Sequence, residues 1–153
     1  MTPMTGKLAK FRALSQAHQR IVLNAAFLLP FLWIGLHFIG LRRLQAWLQH
    51  TPARSDMQLS LDDVVAIGNL VNIAGRHAPC PVTCLTRSLL LDWTLRRRGV
   101  ASQLRIGVRL SQGELDAHAW VEVAGVPVND RPDVSEQFAP FAEMLPPAAF
   151  QSP

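Results

Sequence analysis

Residues Pro79 to Gly99 read "PCPVTCLTRSLLLDWTLRRRG" and hold both cysteines of the chain. Pro79 and Pro81 forbid regular backbone pairing, and Cys80, just ahead of a proline, is biased towards an extended conformation. From Cys84 onward the spacing turns helical. Leu85, Leu89 and Trp93 recur one turn apart, and Leu91 and Leu95 widen the apolar face. Thr83 is a natural N-cap, while "RRRG" supplies cations for the C-terminal dipole and a glycine able to take the left-handed cap. Cys84 therefore falls in the first helical turn, where free N–H groups and the positive helix end favour a thiolate. A single cysteine on the buried side of a helix also serves as a small hydrophobe, so this helix alone leaves both roles open. Zinc is a third reading. His77, Cys80 and Cys84, with His118, supply ligand types, although their spacing is not one of the usual structural-zinc patterns.

Downstream the period changes from helix to strand. In "SQLRIGVRL" Leu104, Ile106, Val108 and Leu110 alternate with Arg105 and Arg109, the pattern of a half-buried strand. "SQGELD" turns the chain, and "AHAWVEV" puts Ala117, Ala119, Val121 and Val123 on one face and His118, Trp120 and Glu122 on the other. "AG" makes a second turn and "VPVND" returns. A three-residue loop centred on Ala124 would set His118 directly opposite Asp130, within reach of a hydrogen bond. A two-residue turn at Ala124 and Gly125 would set it opposite Arg131 instead. A histidine held by a carboxylate, near a cysteine at a helix N-terminus, is the general arrangement for thiol nucleophilic catalysis. In it Cys84 would attack a carbonyl, His118 would carry the proton, and Asp130 would orient the imidazole. Taken alone, "HAW" is equally an ordinary strand histidine beside a structural tryptophan.

Upstream, Ser60 caps a plain core helix, "SLDDVVAIGNLVNIAG", with Asp62 and Asp63 in its first turn and Gly75 as its stop. Before it lies a polar joint from His50 to Gln58, which divides the chain into an apolar helical segment, 1–55, and a second unit, 56–153. Within the first, Ile21 to Leu41 reads "IVLNAAFLLPFLWIGLHFIGL", without a charged side chain and with Arg20, Arg42 and Arg43 at its ends. About 20 apolar residues cross a bilayer. Pro30 invites a break into helices near 15–29 and 31–49. Three readings stand: packed helices of a soluble protein, a membrane span, or a hairpin docking on a membrane surface or a partner. Basic residues at both ends give no orientation.

Composition sets the frame. With 153 residues, 49% hydrophobic and 17% charged, the chain has room for one real core and is not a disordered tail. The net charge of +4 is carried mostly by arginines spread along the chain, without a nucleic-acid motif, so nucleic acid is not an expected partner. Two cysteines make no disulfide framework and no cleavable signal peptide is evident, which points to the cytoplasm, with membrane association through residues 21–41 left open.

Taken together, "CLTRSLLLDWTLRRRGV", "LRIGVRL" and "DAHAWVEVAGVPVND" resemble the transglutaminase-like cysteine peptidases of lasso-peptide biosynthesis, in one order and with close spacing, from Leu59 to Asp130. The resemblance implies an α+β fold of the papain or transglutaminase type, with a central helix headed by the cysteine on an antiparallel sheet. It implies Cys84 as nucleophile, His118 as catalytic histidine and Asp130 as acidic third member. The implied activity is removal of the leader from a ribosomal precursor peptide, so that a partner synthetase can close the macrolactam ring. The apolar N-terminal residues do not suit a fused leader-binding module, so the resemblance is to the stand-alone form that works with a separate leader-recognition protein. No metal or other cofactor is needed for the cysteine chemistry, and a nucleotide requirement is left open. Two other functions compete: an acyltransferase that passes the acyl group to an amine, and a non-catalytic membrane-associated scaffold.

Overall fold

The computed structural model describes residues 13–52 and 58–140. The unit boundary expected at 55/56 lies outside the described residues, as do residues 141–153. Among the described residues four helices precede the sheet: α1 (Gln16–Phe38), α2 (Leu41–Gln49), α3 (Leu61–Arg76) and α4 (Cys84–Arg96). Strands β1 (Ser102–Ser111), β2 (Glu114–Val123) and β3 (Val126–Pro127), the short helix α5 (Val134–Gln137) and β4 (Ala139–Pro140) complete it. The sheet is antiparallel, in the order β3-β2-β1-β4. This is the α+β arrangement, helices against an antiparallel sheet, that the resemblance implies.

Helix α4 is central. Leu89, Leu90, Leu91 and Leu95 are all buried, so it is enclosed on more than one side. Helices α1 and α3 cover one flank, and β1 and β2 the other. Thr83 caps it as expected, its hydroxyl accepting the Thr86 N–H at 3.2 Å. At the other end Gly99 takes φ +79°, and the Val100 N–H reaches back to the Leu95 carbonyl at 3.1 Å. Helix α3 begins with a full capping box. The Ser60 hydroxyl accepts from the Asp63 N–H, and the Asp63 carboxylate accepts from the Ser60 N–H. It ends at Arg76, one residue past the expected stop.

The N-terminal helix departs from expectation at Pro30. Helix α1 runs through the proline for 23 residues, and the break falls at Gly40, whose φ of +83° is open mainly to glycine. An interior proline costs about 3 kcal/mol. Leu29 and Leu32, fully and nearly fully buried on either side of it, offset this at about 1.5–3 kcal/mol each. Ala25, Leu29 and Leu32 of α1 and Leu44 and Leu48 of α2 join Val64, Val71, the α4 leucines and Val121 in one continuous core. Opposite that stripe, Leu23, Phe27, Phe31, Ile34 and Phe38 are exposed. An 18-residue stretch of helix α1 has a mean hydropathy of 1.9, and the helix has the length to cross a membrane, while one of its faces lies in the core.

A second, smaller cluster covers the far side of the sheet. Trp120 is buried there with Val134 and Phe138, and the Trp120 indole N–H donates to Glu122 at 2.9 Å. Arg105 pairs with the same carboxylate at 3.0 Å, which balances a charge that is nearly out of solvent.

Candidate active site

The site is assembled where the N-terminus of α4 meets β2 and the segment after β3. Cys84 opens α4 half-buried, directly behind its Thr83 cap. His118 stands towards the start of the buried part of β2. Its ring lies against Phe138 and Trp120, with centroids 5.1 and 6.3 Å away, and Arg109 lies over the other ring of that stack, 4.5 Å from the Phe138 centroid. Trp120 and Glu122, which carried no role in the sequence, thus form the floor that orients the histidine.

The register differs from the one that seemed to bring His118 and Asp130 together. Glu122 pairs with Pro127 and Val123 with Val126, so the loop is the two-residue turn at Ala124 and Gly125, with φ of +50° and +78°. Such a turn suits the right-handed twist of a hairpin. His118 nevertheless does not face Arg131, because the ladder stops. After the Val128 N–H bonds the Val121 carbonyl at 2.9 Å, side chains replace backbone pairing. Asn129 Oδ1 accepts the Val121 N–H at 2.8 Å, and its Nδ2 donates to Ser88 Oγ at 3.0 Å. Ser88 in turn donates to the Ala119 carbonyl at 3.0 Å. Released from the ladder, Asp130 swings to His118, and its Oδ2 lies 2.6 Å from the ring Nε2, which donates to it. The other oxygen, Oδ1, accepts the Arg131 N–H at 2.8 Å.

Helix α3 holds this segment from behind. A Cβ on Gly68 would stand 2.2 Å from the Val128 carbonyl oxygen, so only glycine admits this approach. One turn on, Asn72 Nδ2 donates to the Asn129 carbonyl at 2.8 Å. Sequence reasoning missed Gly68, Asn72, Ser88 and Asn129. Their one legible signal was spacing: Ser88 lies a helical turn after Cys84, Asn72 a turn after Gly68, and Asn129 beside Asp130.

Cys84, Asp130, Ala119 and Asn129 line one open cleft of about 340 Å³, with Arg76 and Arg87 on its helical wall. His118 is tied to the cleft through Asp130. The thiol and the ring share no direct hydrogen bond among the described residues; strand alternation turns His118 to the Trp120 face, whereas its neighbour Ala119 borders the cleft. With Nε2 taken by Asp130, Nδ1 is the nitrogen left to serve as a base. The zinc reading has no geometry behind it. Among the described residues, no three His, Cys, Asp or Glu side chains converge, and His77 and Cys80 stay apart from the cleft lining.

A family model described as the transglutaminase-like superfamily matches residues 25–143. The chain belongs to that superfamily. The match begins inside α1 and takes in every strand described above, so the helix headed by Cys84 and the β-hairpin carrying His118 both lie within the superfamily's domain. A shorter stretch of 61 residues is 38% identical to the microcin J25-processing protein McjB of Escherichia coli. That stretch is 40% of this chain and only 28% of the relative's length. No solved structure matches.

Proposed function

We propose that this transglutaminase-like chain is a cysteine peptidase that removes the leader from a lasso-peptide precursor, with Cys84 as nucleophile, His118 as base and acid, and Asp130 as its orienting partner. The observation that carries the reading is the 2.6 Å His118–Asp130 pair beside the cleft that Cys84 opens. Superfamily membership and the partial likeness to a peptide-processing protein support it.

The chemistry follows from these groups. His118 Nδ1 takes the thiol proton, and the Cys84 sulfur adds to the carbonyl at the leader's C-terminal end. The Cys84 backbone N–H, without an intrahelical acceptor at the helix start, donates to the developing oxyanion. His118 returns the proton to the departing amine, which becomes the α-amine of the core peptide. Water activated by the same ring then cleaves the thioester, freeing the leader acid and the thiol. Substrate binding has to bring ring and thiol together, since catalytic hydrogen bonds in empty sites often tighten only in the complex. The free core amine is what a macrolactam-forming synthetase consumes, and a separate leader-recognition protein would present the precursor. Cysteine chemistry of this kind calls for no cofactor.

The test is to incubate wild-type and Cys84→Ala protein with a lasso precursor peptide and a leader-recognition protein, and to read product masses. Cleavage by wild type alone, with one water added across a single bond, is the expected result. Transfer of the leader acyl group to an amine, without added water, would instead make the chain an acyltransferase. Equal cleavage by both proteins would overturn the role of Cys84.

A further inference from the structure

The cleft beside Cys84 carries positive charge that no ion pair neutralises among the described residues. Arg76, in the last turn of α3, and Arg87, one turn into α4, both line it. Four other arginines are paired with carboxylates: Arg96 with Asp92, Arg105 with Glu122, Arg109 with Asp116 and Arg131 with Asp133. The side chains of Arg76 and Arg87 have neither an ion pair nor a hydrogen bond among the described residues. Arg87 is moreover held in place. A Cβ on Gly75 would stand 2.5 Å from its Cδ and 2.9 Å from its Cγ, so the stem lies flat on the α3 backbone. Its Nε is buried without a partner. A desolvated guanidinium N–H left without an acceptor is costly, and a carboxylate bound to the rest of the same guanidinium would offset part of that cost. The cleft's one carboxylate, Asp130, is already engaged by His118 and the Arg131 N–H.

We infer that Arg76 and Arg87 form a carboxylate-binding subsite, which selects a peptide bearing an Asp or Glu side chain within about two residues of the bond that Cys84 attacks. The distance follows from the helix: residues three apart on one face stand about 5–6 Å apart at Cβ, and an extended peptide advances about 3.3 Å per residue. Arginine suits the task because its planar fork meets a carboxylate with two parallel hydrogen bonds. This inference rests on the proposed reactivity of Cys84.

Two thiol reagents of similar size test it without a known substrate. Iodoacetate and iodoacetamide both form an S–C bond and expel iodide, and they differ in that the first carries a carboxylate. The rates of both are measured at Cys84 and at Cys80 of the full chain by peptide mass spectrometry, and Cys80 serves as the internal reference. The iodoacetate-to-iodoacetamide rate ratio should be about tenfold higher at Cys84 than at Cys80, the effect of one charge-assisted contact. Added salt should reduce that excess. Arg87→Met and Arg76→Gln should each bring it down towards the Cys80 value, whereas Arg87→Lys should keep part of it. Circular-dichroism melts identify any variant that has failed to fold, and the salt dependence of the wild type stands apart from the variants. Equal ratios at the two cysteines, or a Cys84 ratio unchanged in folded Arg87→Met, would overturn the subsite and leave the peptidase reading intact. A Cys84 inert to both reagents would overturn the nucleophile reading and the subsite with it.

Discussion

Asn129 shows how one side chain can do the work of a strand. Its amide accepts a backbone N–H that the interrupted ladder leaves unpaired and donates to Ser88, so that α4, β2 and the Asp130 segment meet at one buried group. Asn129→Ala leaves the Val121 N–H buried without an acceptor, at about 1–3 kcal/mol. A denaturant titration should show that loss, with the midpoint lowered and the slope unchanged. Asn129→Asp keeps the acceptor but gives up the donor to Ser88, and should lose less of the N–H term while placing a charge in a buried site. At the neighbouring residue the effect is on chemistry. If His118 moves the proton, His118→Ala should lower precursor cleavage about a hundred- to ten-thousand-fold, the usual contribution of a positioned base. Asp130→Asn, which leaves the ring in place but alters its partner, should fall short of that. A His118→Ala protein that cleaves at the wild-type rate would remove the histidine from the mechanism.

Among the elements, α3 has two separable duties. Its N-terminus is fixed by the capping box, and its middle supports the Asp130 segment. Hydrogen bonds from the Ser60 side chain, then from the Ser60 backbone, hold the Asp63 carboxyl below its ordinary value of 3.8. A carboxyl lowered on folding adds stability above its unfolded value, and that contribution disappears as pH falls through the folded one. Ser60→Ala should therefore move the Asp63 carbon resonance in an NMR titration back up towards 3.8 and flatten the acid end of the stability curve. Gly68→Ala acts in the middle of the helix. Its new Cβ would fall on the Val128 carbonyl, which is backbone and has little room to give. The variant should be destabilised although alanine is the better helix former, and cleavage should fall further than at Gly40→Ala, where a positive φ is strained but the site is remote. The elements themselves were legible: the caps at Thr83 and Ser60, the hairpin alternation and a turn near Ala124 are all local signals. The pairing of His118 with Asp130 was legible too, though through a register that does not occur. Counting residues along a ladder assumes that the ladder continues, and this one ends because Asn129 supplies with its side chain what backbone would otherwise supply.

For the whole molecule, the consequential difference lies in α1. Composition marks it as apolar all round, and no periodicity within it separates a face that will be buried from one that will not. That separation comes from what packs on it: α3 and α4 cover Ala25, Leu29 and Leu32, while Phe27, Phe31 and Phe38 stay outside. Pro30 misled for the same reason, since a local rule about helix interiors is outweighed by core burial on either side of it. Leu29 and Phe31 therefore make a matched pair, two residues apart across the proline and alike in hydrophobicity. Leu29→Ala opens a cavity in the shared core and should cost about 2–5 kcal/mol. Phe31→Ala removes an exposed ring, 58% accessible, and should change stability by less than about 0.5 kcal/mol. Pro30→Ala restores an N–H to the helix ladder and should raise stability, by up to about 3 kcal/mol. Chemical unfolding of the three variants reads whether α1 is part of the fold in solution. Equal, negligible effects at Leu29 and Phe31 would mean that α1 is not packed on the domain, and that the core begins only after it.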